Sequence, residues 1–204
     1  MTIRSGFAPI GNARLYHEAA GAGPPFVMIH AGVADSRQWN NEFAHFASRW
    51  RVIRYDMRGY GKSEPAEGEF SHLGDLLALL DHLGVGDPAV MMGCSMGGGL
   101  AMDFALAHPS RTRALIMVDA GPRGLKLDVP TPPAFAEAEK AYNAGQLDLV
   151  AELETQIWFD GMGRRPDQVN QSMRRLAYEM NRTALAHEAK HLGTRAPEAS
   201  SPAV

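Results

Sequence analysis

Gly93-Cys94-Ser95-Met96-Gly97 is the stretch that decides the fold of this chain. It lies between the apolar run Ala89 to Met92 and a helical pattern that starts at Met96. A strand that turns sharply into a helix leaves the central serine on a tight bend with its hydroxyl exposed. The next backbone N–H then points at whatever the serine attacks. Glycines permit the bend, because a Cβ at either position would crowd the neighbouring backbone. Ser95 is therefore the candidate nucleophile, and the N–H of Met96 a candidate oxyanion donor. The plainer alternative is a glycine-rich helix start at which Ser95 is an N-cap. Cys94, just before the bend, is expected to point back toward the sheet and to pack there.

Outward from the bend, short apolar runs alternate with helical patterns. Gly11-Asn12, between two extended-looking pieces of Phe7 to Ala19, reads as a hairpin. Pro24-Pro25 introduces the continuous apolar run Phe26 to Ile29, typical of a strand buried on both faces. Arg51 to Tyr55 is a second core strand. Phe70 to Leu83 is helical, with Leu73, Leu76, Leu77, Leu80 and Leu83 on one face, and Gly84 is its stop. After the strand Ala89 to Met92 and the helix Met96 to Ala107 comes the strand Ala114 to Val118. This order predicts an α/β fold: a mostly parallel sheet with right-handed crossovers and flanking helices. Chemistry in such folds gathers at the carboxyl ends of the strands. His30, Asp56, Ser95 and Asp119 all stand at or just past such ends.

His30-Ala31-Gly32-Val33 follows the first core strand, and a loop there can supply a second oxyanion donor. Gly32 is the first candidate and Val33 the second. His30 is read as a brace for that loop, with the general-base role as its rival. Asp56-x-Arg58-Gly59-x-Gly61-x-Ser63 reads as a tight scaffolding loop with an Asp56–Arg58 ion pair or a capping network. Past Gly121 the pattern changes to prolines and then to helices only. Phe135, Ala138 and Tyr142 make one face, Val150, Leu153 and Ile157 a second, Val169, Met173, Leu176 and Met180 a third, and Ala184 to Leu192 a fourth. Boundaries follow at 1–122 for the core, 123–198 for a helical subdomain and 199–204 for a tail.

Composition limits the function. The 204 residues carry a net charge of −3, so nothing points to nucleic acid or to an anionic membrane. One cysteine excludes an internal disulfide and fits a reducing compartment, so a cytoplasmic protein is expected. No apolar run approaches the roughly 18 residues of a membrane span. His187 and His191, one turn apart, lack further ligands nearby and read as a solvated face, so no metal and no cofactor is expected. His17, His45, His72, His82 and His108 read as surface histidines of the hairpin and helices.

Taken in order, Val27-Met28-Ile29-His30-Ala31-Gly32, Tyr55-Asp56-Met57-Arg58-Gly59-Tyr60-Gly61-Lys62-Ser63, Gly93-Cys94-Ser95-Met96-Gly97-Gly98 and Leu115-Ile116-Met117-Val118-Asp119 resemble the α/β-hydrolase superfamily. The resemblance runs from near the start of the chain to about Gly121, and the helical stretch after it looks like that family's cap. It implies a serine hydrolase, among esterases, lactonases, amidases and cofactor-free perhydrolases, and argues against dehalogenases, which carry aspartate at the bend. Members usually continue past the cap with two more strands, which bring the acid and the histidine of the triad. Here Ser201-Pro202-Ala203-Val204 looks like the approach to the first of them. This reading therefore expects a C-terminally incomplete core, an exposed sheet edge through which copies can associate, and a catalytic histidine outside these residues. Some members place the acid after the strand that follows the nucleophile helix. Asp119 occupies that position, with a loop-capping aspartate as the alternative. The expected function is hydrolysis of a small carboxylic ester or lactone through an acyl-enzyme on Ser95. The rivals are a ligand-binding remnant without turnover and a fragment completed by another chain.

Overall fold

The structure, a computed structural model, describes residues 2–65, 67–122, 133–161, 163–190 and 193–196. The chain opens with a hairpin of β1 (Ile3–Ile10) and β2 (Ala13–Ala20), turned at Gly11-Asn12 where Gly11 takes φ +57°. β3 (Pro25–Ile29) follows, buried along its whole length. A 3-10 turn at Ser36–Trp39 leads into α1 (Asn40–Phe46) and β4 (Arg51–Tyr55). A short β5 (Gly68–Phe70) precedes α2 (His72–His82), whose N-terminus is capped by the Ser71 hydroxyl. β6 (Ala89–Cys94), α3 (Met96–Ala107) and β7 (Thr112–Val118) complete the core.

The sheet order is β1-β2-β4-β3-β6-β7. The hairpin joins it antiparallel, while β4, β3, β6 and β7 run parallel. Period-two alternation divides the strands between two apolar layers. Val27, Ile29, Ile53 and Met91 pack against Leu76, Leu80, Leu100 and Phe104 of α2 and α3. Phe26, Met28, Val52, Val90 and Met92 face the other way, onto Trp39 and Phe43. Among the described residues β7 is the last strand on its side of the sheet, and Ile116 and Val118 are 39% and 38% exposed.

The helices that follow β7, called the cap below only for their position beside the Ser95 cavity, are α4 (Pro133–Asn143), α5 (Leu147–Thr155), a π-helical turn at Gln156–Asp160 and α6 (Gln171–Glu188). Ala141, Val150, Ala151 and Leu185 form its small core. Met180 joins it to Ala31 and Ala34 of the sheet side. Two separate helices read from the sequence, one over Val169 to Met180 and one from Ala184, are one helix here. No breaker stands between them, and the polar Asn181 is buried on the inner face, where it hydrogen-bonds Glu154. The expectation of helices alone past Ala134 also fails at β8 (Gly193–Arg195), which pairs parallel with β5 and returns the chain to the core inside the span 123–198 assigned to the cap. Phe70, expected to begin a helix, ends that partner strand instead. Residues 199–204, read as a tail, lie outside the described residues.

The glycine loop after β4 is tied down by two buried charges. Arg58 does not pair with Asp56. Its Nε and Nη2 reach the two carboxylate oxygens of Asp75 on α2 at 2.8 and 2.7 Å, and Nη1 donates to Asn12 at 2.8 Å. Asp56 instead accepts the backbone N–H groups of Ser36 and Lys62, both at 2.8 Å. It thereby holds together the two loops that border the site. Burial of both partners in the Arg58–Asp75 pair makes the pair costly to break from one side. Asp75→Ala should lower unfolding stability by about 3–5 kcal/mol in urea titration, because it leaves a buried guanidinium with only neutral acceptors.

Candidate active site

Ser95 stands at the end of β6 with φ +48° and ψ −114°, a backbone conformation that residues with a side chain rarely adopt. Its N–H donates to Val118 C=O at 3.0 Å, and its C=O accepts the N–H of Gly99 at 3.0 Å. The bend is thus fixed by the neighbouring strand on one side and by α3 on the other. A Cβ on Gly93 would overlap the carbonyl of Gly97, and one on Gly97 would overlap those of Ile29 and His30. The two glycines of the motif therefore let three backbone segments touch, and the serine hydroxyl is what projects.

Gly32 lies in a turn closed by the Ala34 N–H to Ala31 C=O bond at 3.1 Å. The N–H of Ala31 is taken by Gln38 Oε1 at 2.8 Å. Among the described residues, the N–H groups of Gly32, Val33 and Met96 have no acceptor. A Cβ on Gly32 would lie 3.6 Å from Met96 Cβ, so these peptide groups are neighbours. Unclaimed donors beside an exposed hydroxyl can stabilise negative charge developing on a carbonyl oxygen.

His30 is fully buried, and both of its nitrogens are engaged. Nδ1–H donates to Ala31 C=O at 2.7 Å, and Nε2 accepts the N–H of Met57 at 3.0 Å. Burial holds this imidazole below its ordinary value despite the nearby Asp56 and Asp35 carboxylates, so it stays neutral. It braces the loops after β3 and β4. Asp119 follows β7, where Cys94 is in register with Val118, and takes φ +47°. It lines the same cavity as Ser95. Cys94 packs against the apolar layer of Met28, Trp39 and Val90, as expected, and also against Ala31 and Met180. It borders that cavity, bonded to Gln38, and burial pushes its thiol up, so it is no thiolate.

The cavity over Ser95 measures about 660 Å³, is partly roofed by the helices that follow β7, and stays open to solvent. Trp158 and Phe159 of the π-helical turn and Met173, Leu176 and Met180 of α6 give it an apolar roof. That turn is anchored by Asp160, fully buried and bonded by Arg174, which also reaches Glu152. A second cavity of about 410 Å³ shares Gly32, Val33, Tyr60, Glu154 and Asn181 with the first. It adds Arg195, His187, His72 and Glu188. Two histidines read as surface residues are found there. His72 is buried at the start of α2. His187 is half-buried, bonded to the Gly59 backbone and lowered by burial. His191 lies outside the described residues. No histidine is among the described residues lining the Ser95 cavity, and no group of metal-ligand side chains occurs among them.

Tyr60, Glu154, Asn181 and the aromatic pair at 158–159 were not anticipated as site residues. Tyr60 stood in a recognised motif, but the cap residues carried no local sign, because α5 and α6 have ordinary amphipathic patterns. Only their docking over the elbow brings them there.

A family model described as alpha/beta hydrolase fold matches residues 24–159. The chain is 31% identical over 160 residues to 2-hydroxy-6-oxo-6-phenylhexa-2,4-dienoate hydrolase of Burkholderia cepacia, covering 74% of this chain and 56% of that one. Among solved structures it resembles the bromoperoxidase of Bacillus anthracis, with TM-score 0.73 and 25% identity over 94% of this chain and 75% of that one. It also resembles the enol-lactonase of Burkholderia xenovorans LB400, with TM-score 0.70 and 22% identity over 92% and 73%. The chain spans about a third to just over half the length of the curated relatives it matches. No helix among the described residues is long and apolar enough to cross a membrane.

The braced, neutral His30 makes the site sensitive to acid. Its pKa is lowered in the folded state, so the unfolded chain takes up the proton first as pH falls. Stability should therefore drop as pH goes below about 6.5. His17 and His187, also lowered by burial, act in the same direction. Urea midpoints at pH 7.5 and 5.5 should differ less in His30→Gln than in the unaltered protein.

Proposed function

We propose, for a chain that belongs to the alpha/beta hydrolase fold family, a serine hydrolase that cleaves a carboxylic ester or lactone through an acyl-enzyme on Ser95. The observation that carries this reading is the exposed Ser95 hydroxyl at φ +48° under an apolar roof, beside unclaimed backbone donors. Ser95 Oγ attacks the carbonyl carbon while a base takes its proton. The carbonyl electron pair moves to oxygen, which the N–H groups of Met96 and Gly32 hold. Collapse of this adduct breaks the bond to the leaving alkoxide, which takes a proton from the base. Water then repeats the sequence on the acyl-enzyme and releases the acid. The base in this reading is a histidine outside the described residues, oriented by Asp119 or by another carboxylate. The Burkholderia cepacia relative, a hydrolase, supports hydrolysis as the kind of reaction.

One observation favours a second reading, a cleft that binds its ligand without turnover: no histidine is among the described residues lining the Ser95 cavity. A fluorophosphonate probe separates the two. Applied to this chain and to any longer form its gene encodes, it should label Ser95 in at least one, and Ser95→Ala should abolish the label. Absence of label from both would favour binding alone. Without a base, hydrolysis of p-nitrophenyl acetate should retain only an acceleration of about 10³–10⁴ over water. A turnover near ~10 per second that vanishes in Ser95→Ala would mean that the base is present.

Asp119 has its own test in an ester-hydrolysing form. As the triad acid, Asp119→Asn should lower kcat about 10⁴-fold, because the imidazole loses the carboxylate that fixes its tautomer. As a loop cap, the same change should cost about 1 kcal/mol of stability and leave kcat within a few-fold.

A further inference from the structure

The cleft under the cap is two-lobed. Its apolar lobe rises from Ser95 to Trp158 and Met173, both partly open to solvent. Its polar lobe runs from Tyr60 to His187, Glu188 and Arg195. Glu154 belongs to both lobes and therefore stands where they meet. It comes from the last turn of α5, directly before the π-helical turn that carries Trp158 and Phe159. Its Oε2 accepts a hydrogen bond from Asn181 Nδ2 at 2.7 Å, and Asn181 is only 3% exposed, so the carboxylate is held in place rather than free to swing.

What the carboxylate lacks is a positive partner. Three carboxylates of the cap are paired, Glu152 and Asp160 with Arg174 and the exposed Asp148 with Arg182, while Glu188, the other carboxylate of the polar lobe, is exposed to solvent. Of the two arginines that line the polar lobe, Arg58 is committed to Asp75, and Arg195 reaches Met96 Sδ with Nη1 at 3.7 Å. Among the described residues no cation pairs with Glu154, whose single polar neighbour by hydrogen bond is the neutral amide of Asn181. Burial and the Glu188 carboxylate push its carboxyl up, the direction expected of a charge without compensation. A partly desolvated carboxylate of this kind costs stability unless something positive meets it. It is found on the wall of the cleft, facing the space a ligand would fill.

We propose that Glu154 selects the substrate: the preferred ester or lactone carries a protonated amine on the limb that enters the polar lobe, and the Glu154 carboxylate binds that ammonium while the apolar limb lies under Trp158 and Met173. The inference rests on the reading of this cleft as the substrate site of Ser95, but it requires binding only. Tyr60, whose hydroxyl burial holds up to about 12, remains a neutral donor at the same junction and adds no competing charge.

The test uses three amides, far slower to hydrolyse than esters, that differ at one group: N-(2-aminoethyl)hexanamide, its apolar isostere N-propylhexanamide, and N-(2-hydroxyethyl)hexanamide. Binding to the unaltered chain is followed by tryptophan fluorescence and by calorimetry at pH 7.5. The aminoethyl amide should bind at least tenfold more tightly than the propyl amide. In Glu154→Gln that preference should vanish while propyl-amide affinity stays within threefold, which also shows that the variant is folded. The preference in the unaltered chain should also shrink between 0.05 and 0.5 M salt, as an ion pair requires. Equal binding of the amides, tightest binding of the hydroxyethyl amide, a preference that survives Glu154→Gln or high salt, or binding of none of them would overturn the proposal. Failure of fluorophosphonate to label Ser95 would instead count against the hydrolase reading and leave the amide preferences to be judged on their own.

Discussion

Three backbone segments meet at Gly97 with no side chain between them, and much of the site depends on that contact. The carbonyls of Ile29 and His30 lie where a Cβ on Gly97 would be, and the carbonyl of Gly97 lies where a Cβ on Gly93 would be. This closeness joins β3, β6 and α3 into one rigid corner. It sets the turn that lifts Ser95 out of the sheet, and it brings the loop after β3 beside Met96. Had either glycine a side chain, the strand ends would separate, and the serine and the two candidate oxyanion donors would lose their common focus.

Around this corner the protein uses buried polar groups as fasteners. His30 ties the loop after β3 to Met57, and Asp56 ties that loop to Ser36 and Lys62. Arg58 ties the same region to α2 and to the hairpin turn through Asp75 and Asn12. Each of these groups is buried and each is satisfied, so the loops at the strand ends are held in a defined place. Loops that must present N–H groups to a ligand cannot fill the space above them with apolar side chains. Polar fasteners from below solve that problem.

The cap acts differently. It touches the sheet side through the small patch of Met180 with Ala31 and Ala34 and through the bond of His187 to the Gly59 backbone, and between these contacts its inner face borders the cleft. Its own rigidity comes from a modest apolar core and from ion pairs that pin the π-helical turn at Asp160. π-helical turns are frequent at functional sites because the extra residue displaces the side chains that follow from the regular helical positions. Here the displaced residues are Trp158 and Phe159, and both reach the cavity.

Ser95 and its bend were legible in five residues, because a glycine-flanked serine between a buried strand and a helix allows few other geometries. The parallel order of the core strands was legible from alternation alone, since apolar runs of five residues can be buried on both faces only between helices. The first and second oxyanion candidates were legible by position, at a strand end and just past the serine. The destination of Arg58 was not: Asp56 is two residues away, while Asp75 lies on a helix whose docking decides the pairing. His72 and His187 could not be told from surface histidines, because burial depends on what packs over a residue and not on its own pattern. For the same reason β5 and β8 left no trace in the local sequence. Each is three residues long, and the pairing of Phe70 with Arg195 joins segments from opposite ends of the chain's core and cap. Local periodicity marks the longer strands and helices and not the three-residue strands. Which cap residues line the cavity of Ser95, Glu154 among them, was decided only by long-range packing, where the orientation of α5 against the longer α6 selects the side chains that meet the cleft.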